Sequence, residues 1–291
     1  MQRFHHFTVD VEEHFQVSAL EPYVDRTAWD HLPSRVIAST QRVLDLMEEH
    51  SALGTFFVLS WIASRYPALV REIAARGHEI ASHGSDHKRV THSSVAEFRQ
   101  SVRESKQVLE DVSGVEVLGF RAPSFSIVPG REWALDVLLE EGYVYDSSLF
   151  PIRRPGYGYP GTLRRPHLLP LSAGNLLEFP PATLRALGTT LPAGGGAYLR
   201  LLPYTLLHSA VAQAERDGFP ATVYIHPWEL DPEQPRFPVR PLTRIRQYGG
   251  LKRTAPRLHR LLSRFQFRPL RDTVSTWEGI EPTTLVDAKR R

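Results

Sequence analysis

Residues 54–87 read GTFFVLSWIASRYPALVREIAARGHEIASHGSDH, and the succession of patterns within them decides the fold. Gly54 to Ser60 is a short, largely apolar run, as expected of a strand covered on both faces. Pro67 to Arg76 reads as a helix: proline is tolerated in a first turn, whose N–H groups have no partner within the helix, and Gly77 stops it. His78 to Ser82 is strand-like again and runs into the polar segment SHGSDH.

The same alternation extends in both directions. Strands are predicted over Phe4–Val11, Val117–Arg121, Tyr143–Asp146, Leu176–Phe179 and Ala221–His226. Helices are predicted over Pro33–His50, Val95–Val112 and Arg131–Glu141, the last ending at Gly142. Seven strand candidates with intervening helices predict an α/β fold whose parallel sheet closes in the manner of a barrel. Two segments break the rhythm: Phe150–Pro170, dense in Pro, Gly and Arg, and Pro192–Tyr204, with three consecutive glycines. Both read as long loops, which in a compact domain are usually functional or mobile.

At 291 residues, 42% hydrophobic and 10% aromatic, the chain can bury a large core, which excludes intrinsic disorder. It has no cysteine, so disulfides, thiolate metal sites and cysteine nucleophiles are excluded together. No apolar run reaches the roughly 18 residues of a membrane span. The N-terminal MQRFHHFTVDVEEHF lacks the basic and apolar regions of a secretory leader, so a cytoplasmic location is expected. The net charge of +3 conceals a division: residues 1–150 carry 22 acidic and 14 basic side chains, residues 151–291 carry 10 and 21. Between Arg236 and Arg271 there are 11 Lys or Arg and no acid. The organisation read from this is a barrel over residues 1–235 and a basic C-terminal extension over 236–291 packed on the same domain. Within the extension, PRLHRLLSRF (256–265) places Arg257, Arg260 and Arg264 opposite Leu258, Leu261, Leu262 and Phe265. That is either a docked helix with a solvated basic face or a surface for an anion such as nucleic acid.

Polar residues at the C-terminal ends of parallel strands are where such folds build sites. Here those ends carry Asp10 and Glu12, His83 and His87, Arg121, Asp146, and His226. Two imidazoles and one carboxylate make an ordinary catalytic zinc set, although an H-x3-H pair is also common in plain polar loops. Asp10 reads equally as a strand-ending cap or as a base beside a metal-bound water. Arg121 either pins a loop or holds a neighbouring carboxylate ionised. His226 is either a core histidine or a proton donor to a leaving group.

Taken in order, TVDVEEHF, ASHGSDH, FRAPSF, YDSS and VYIHPWE resemble the motifs of the polysaccharide deacetylase family, also called carbohydrate esterase family four or the NodB-homology domain. The resemblance runs from Thr8 to Glu229 and implies a distorted (β/α)7 barrel that removes N-acetyl groups from an amino-sugar polymer with a divalent metal, zinc being the expected ion. Position by position, Asp10 resembles the catalytic base, Arg121 the arginine that orients it, and His226 the general acid. His83 and His87 resemble metal ligands. The commonest first motif has adjacent aspartates, but Val11 follows Asp10 here, so the third ligand is expected at Glu12, with Glu13 as the fallback. The backbone N–H near Ser124 is expected at the oxyanion, with Asp146 and Trp228 on the substrate side. Ser148 and Leu149 replace the second acid and Trp usual after Asp146, which weakens its expected role in tuning His226.

GGGAYLRLLPY and HPWELDPEQPR further resemble the subgroup found with bacterial exopolysaccharide loci and the PEP-CTERM sorting system. The expected partner is an N-acetylated polysaccharide, an anionic glycan in preference to nucleic acid, and no oligomeric state follows from the sequence. Two rivals remain: a same-fold hydrolase of cyclic amides or ureides, and a non-catalytic anion-binding protein.

Overall fold

The computed structural model describes residues 4–276. Its strands are β1 (His5–Val11), β2 (Thr55–Val58), β3 (Glu79–Ser82), β4 (Gly119–Phe120), β5 (Tyr145–Asp146), β6 (His167–Leu171), β7 (Gly174–Glu178), β8 (Thr183–Ala186), β9 (Thr189–Pro192), β10 (Thr222–Ile225) and β11 (Phe267–Arg268). The helices are α1 (Val36–Glu49), α2 (Ser60–Arg65), α3 (Pro67–Ala75), α4 (Val95–Ser113), α5 (Trp133–Glu140), α6 (Gly196–Leu201), α7 (Tyr204–Arg216), α8 (Pro241–Tyr248), α9 (Thr254–Leu262) and α10 (Leu270–Val274).

All seven expected strands form, and they are neighbours. The main sheet runs β10-β1-β2-β3-β4-β5-β7-β6, with β11 beside the start of β1. Every pair is parallel except the β6–β7 hairpin. The sheet curls until Pro181, just past β7, bridges Thr222 of β10, and Ala182 N–H donates to Thr222 O at 2.8 Å. A single bridge, rather than a ladder, joins the two ends, so the barrel is a curled, flattened half-barrel flanked by helices.

Alternation along the strands sorts side chains to two faces. Phe7, Val9, Phe56, Val58 and Ile80 point outward into one core with Val43, Leu44, Val70 and Ile73 of α1 and α3. Phe57, Ala81, Tyr145, Leu177 and Phe179 point inward. Leu270 of α10 joins this inner cluster, and the Leu270 and Arg271 N–H groups donate to Thr55 Oγ1 and Glu79 Oε2. The C-terminal segment therefore plugs the end of the barrel where the strands begin, which leaves the opposite end open for a site. Each fully buried Phe or Leu in these layers stabilises by about 1.5–3 kcal/mol.

Local chemistry explains the helix ends. Ser94 and Glu97 form a reciprocal capping box at the start of α4, and Gly114 ends it in the left-handed region at φ 71°. The segment Pro192–Tyr204, expected as a loop, instead holds the end of β9 and all of α6. Its glycines allow the backbone to lie flat on β10: Gly195 bridges Tyr224, and a Cβ there would sit 1.7 Å from the Tyr224 carbonyl oxygen. In the basic extension, Leu258, Leu261, Leu262 and Phe265 are buried as expected. The opposite face is not simply solvated: Arg257 donates to the carbonyls of Leu199 and Leu202 at the end of α6, and Arg260 lies over the Tyr204 ring. Residues 277–291, the rest of that extension, lie outside the described residues.

Candidate active site

The inward residues of β1 continue past the apolar layer as Thr8, Asp10 and Glu12, all buried at the open end of the barrel. Arg121, fully buried just after β4, reaches across to them. Its Nη1 donates to Thr8 Oγ1 and Asp10 Oδ1, each at 2.7 Å, and its remaining nitrogens donate to the Ser147 carbonyl and hydroxyl. Asp10 Oδ1 is thereby fixed, while Oδ2 lies 3.9 Å from His226 Nε2.

Beside this pair, Glu12, His83 and His87 bring one ligand atom each within 4.8 Å of one another, all three residues buried. His83 Nδ1 lies 2.8 Å from the Arg121 carbonyl, so it carries the ring proton and leaves Nε2 as an electron-pair donor. His87 Nε2 stands 2.8 Å from Glu12 Oε2, yet that oxygen is buried with no aligned hydrogen-bond donor. Converging lone pairs with an orphaned carboxylate oxygen are the donor set a divalent cation would satisfy. Burial lowers His83 to about 4, which keeps it neutral as a ligand must be. Burial would raise Glu12, but the adjacent imidazoles outweigh it and hold the carboxyl at about 2. Glu13 is occupied elsewhere, accepting from Ser34 Oγ and Arg35 N–H, so Glu12 is the carboxylate that joins the histidines. A second cluster, Glu49, His50 and His259, lies nearer the surface, where His50 and His259 already contact each other at 3.0 Å.

His226 follows β10 and faces the same space, its Nε2 3.7 Å from Glu12 Oε1. Burial alone would lower it, but the carboxylates of Glu12, Glu229 and Asp10 overcome that and push it up to about 9. Its Nδ1 is held by Glu229 Oε1 at 2.8 Å, and the same oxygen accepts the His226 backbone N–H. Glu229 Oε2 takes a 2.6 Å hydrogen bond from Arg200 Nε, whose other nitrogens donate to the Arg246, Gln247 and Gly249 carbonyls at the end of α8. Glu229 and Arg200 were not among the expected site residues. Glu229 was within reach, because its i+3 spacing after His226-Pro227 is a capping-box pattern; Arg200, 29 residues away, carried no local signal.

The orienting role considered for Asp146 falls to Glu229 instead. Asp146 is fully buried, accepts from the Ser148 hydroxyl and N–H, and is paired with Glu178 away from His226. Trp228 stacks on His226 and donates from Nε1 to Glu12 Oε1 at 3.1 Å. Ser124 lies in the left-handed region at φ 56°, with its hydroxyl on Ser18 Oγ. His87 and Phe125 are also left-handed, so that three of the five non-glycine residues with positive φ among the described residues fall at this site. His14 stacks on Phe237 and His92 is exposed; neither joins the group. Asp10, Glu12, His87, Ser124, His226 and Trp228 line one cleft of about 560 Å³.

Comparison with known proteins assigns many of these parts to two matched segments, with Asp10 and Glu12 preceding both. Residues 27–130, which carry both histidines, Arg121 and Ser124, match the polysaccharide deacetylase family. Residues 147–275, which carry Arg200, His226, Trp228 and Glu229, match a domain of unknown function, DUF3473. A peptidoglycan-N-acetylglucosamine deacetylase of Bacillus cereus is 24% identical over 143 residues, 45% of this chain and 51% of that protein. A chitooligosaccharide deacetylase of Azorhizobium caulinodans is 34% identical over 85 residues, 29% of this chain and 40% of that one. The chain thus spans about half the length, or less, of these curated relatives. Among solved structures, a candidate polysaccharide deacetylase of Mycobacterium smegmatis superposes with a TM-score of 0.66 at 20% identity, over 96% of this chain and 92% of that one. An allantoinase superposes with a TM-score of 0.58 at 18% identity, over 96% and 91%. At these identities the structures establish the fold alone. The sequence matches thus identify a polysaccharide deacetylase segment at residues 27–130, and the curated relatives that align with the chain are named as deacetylases of N-acetylated glycans.

Proposed function

We propose that the chain hydrolyses the N-acetyl amide of an amino-sugar residue in a polysaccharide, an exopolysaccharide or its precursor. The observation that carries this reading is the facing arrangement of an arginine-bound carboxylate, Asp10, and a carboxylate-bound imidazole, His226, across a Glu–His–His group in one cleft.

Glu12, His83 and His87 would hold a divalent cation, zinc by their nitrogen–oxygen donor set, which lowers the pKa of a bound water toward about 7 and polarises the amide carbonyl. Asp10 Oδ2, free while Arg121 engages Oδ1, takes the proton from the attacking water. The oxygen adds to the acetyl carbonyl, and the backbone N–H at Ser124 faces the developing oxyanion. His226, kept protonated by Glu229 on its far side, gives its proton to the departing nitrogen as the carbon–nitrogen bond breaks. Acetate and a free amine result.

The test is acetate release from N-acetylglucosamine oligomers and other N-acetylated glycans, run beside ring opening of small cyclic imides. Acetate release that falls by about 10²–10⁴ in Asp10→Asn supports the reading. Ring opening without acetate release would transfer the site to cyclic-amide chemistry.

A further inference from the structure

The chemistry above occupies one end of the cleft. The other end is built by the C-terminal half of the chain, with Arg154 and Tyr157 from the loop after β5, Tyr198 from α6 and Arg246 from α8. Arg200, on the same wall, is consumed by Glu229 and three carbonyl oxygens. Arg154 and Arg246 are not: among the described residues neither guanidinium has a carboxylate within 4.0 Å. Both flank Tyr157. Arg246 Cζ is 6.0 Å from the Tyr157 ring centre, and Arg154 forms a backbone bridge with Tyr157. Burial and the neighbouring Tyr198 hydroxyl raise the Tyr157 phenol, and the positive charges of Arg246 and Arg154 act against them, so both charges bear on that one hydroxyl.

Two like charges around one tyrosine repel each other. Among the described residues no carboxylate pairs with either, and Arg246 lies within the acid-free run from Arg236 to Arg271. The other end of the cleft holds Asp10 and Glu12. The cleft is therefore polarised along its length, with its carboxylates at the reacting end and free guanidinium forks at the other. A guanidinium fork matches a carboxylate in bidentate geometry and remains charged at every accessible pH.

We propose that this end of the cleft is a binding subsite for a carboxylate-bearing sugar residue next to the N-acetylated one, gripped by Arg154 and Arg246, so that the substrate is an acidic heteropolysaccharide. The proposal takes its reaction from the deacetylase reading, but the recognition stands apart from turnover. It also gives the domain of unknown function a role in selecting the polymer, in addition to contributing His226 and the Glu229–Arg200 pair behind it.

The test is an equilibrium titration of the full chain with two tetrasaccharides, one of N-acetylglucosamine alone and one alternating N-acetylglucosamine with glucuronate. Wild type is compared with Arg154→Gln/Arg246→Gln, at low and high salt, after checking that the variant melts like wild type. The acidic tetrasaccharide is expected to bind at least about tenfold more tightly, a difference of about 1.4 kcal/mol. That preference should shrink toward unity in the variant and weaken with salt. Equal binding of the two by wild type, binding of neither, or a preference that the double variant retains overturns the proposal. Acetate release from the same tetrasaccharides is read separately: its absence from both counts against the deacetylase reading, while the binding ratio still decides the subsite.

Discussion

Replacing Arg121 by Met keeps a long, unbranched side chain but removes every donor. The wild-type guanidinium is fully buried and lies 4.1 Å over the Phe57 ring, so no water stands ready to replace it. Its loss strips a 2.7 Å partner from Asp10 Oδ1 and another from Thr8 Oγ1, and leaves the Ser147 carbonyl without its guanidinium donor. Asp10 itself is only 2% exposed and would be left with His226 Nε2, 3.9 Å from its Oδ2, as the nearest cationic group. Breaking a buried ion pair from one side costs about 3–5 kcal/mol, a large part of the 5–15 kcal/mol typical of a domain. Asp10→Asn made on top of Arg121→Met removes the stranded charge, so the double variant should recover about 2 kcal/mol relative to the sum of the single changes. Urea denaturation in the presence of a chelator measures all four proteins without a contribution from metal binding. A loss of less than about 1 kcal/mol in Arg121→Met, or additivity within about 0.5 kcal/mol, would refute the claim that this pair is a tightly coupled buried unit.

Three further outcomes follow from other parts of the structure. Burial lowers His5 to about 4, His6 to about 3 and His78 to about 4, all away from the cleft. The unfolded chain takes up these protons near pH 6.5 and the folded chain does not. The contribution of these three is therefore full above that pH and falls from 6.5 toward 4, by about 1.4 kcal/mol per pH unit for each histidine; pH-independent stability across that window, read by denaturation, would contradict the burial. Gly195→Ala would drive a methyl group into the Tyr224 carbonyl and should cost at least about 2 kcal/mol; a loss below about 0.5 kcal/mol by thermal denaturation would show that the chain does not lie flat on β10. Glu229→Gln releases His226 from its orienting carboxylate and strands Arg200, and steady-state acetate release should show kcat falling about tenfold to a hundredfold with KM little changed. A KM effect alone would place Glu229 in substrate binding.

Strands β1 to β4 were legible because each is a short apolar run followed by helical turns, and the ends of β1, β3, β4, β5 and β10 carried the titratable residues. Segments without that signature were missed. β8 and β9 are joined through Leu187 and Gly188, both at positive φ, and leucine gives none of the turn signal that Asn or Asp would. β6 contains Pro170, which demotes a strand reading, but it pairs only with β7 at the edge of the sheet, where a missing N–H is tolerated. β11 has two residues, too few for any period. At the site, the strand ends and the family resemblance singled out Asp10, Glu12, His83, His87, Arg121 and His226, which the fold brings near one another. The Glu229–Arg200 support was hidden because Arg200 acts through packing against α8, a tertiary contact with no local pattern. The charge division has a similar resolution: Arg200 and Arg257 of the basic half cap helix carbonyls, and Arg154 and Arg246 face the cleft.

The central claim is that Glu12, His83, His87, Asp10 and His226 form one hydrolytic centre. It is tested most directly by adding zinc stepwise to the metal-free protein while following acetate release from an N-acetylated oligosaccharide, with His83→Ala alongside. The account predicts activity that rises with metal and saturates near one ion per chain at the cleft, and a variant that stays inactive throughout. Acetate release undiminished in the chelated protein, or equal in His83→Ala, would contradict it.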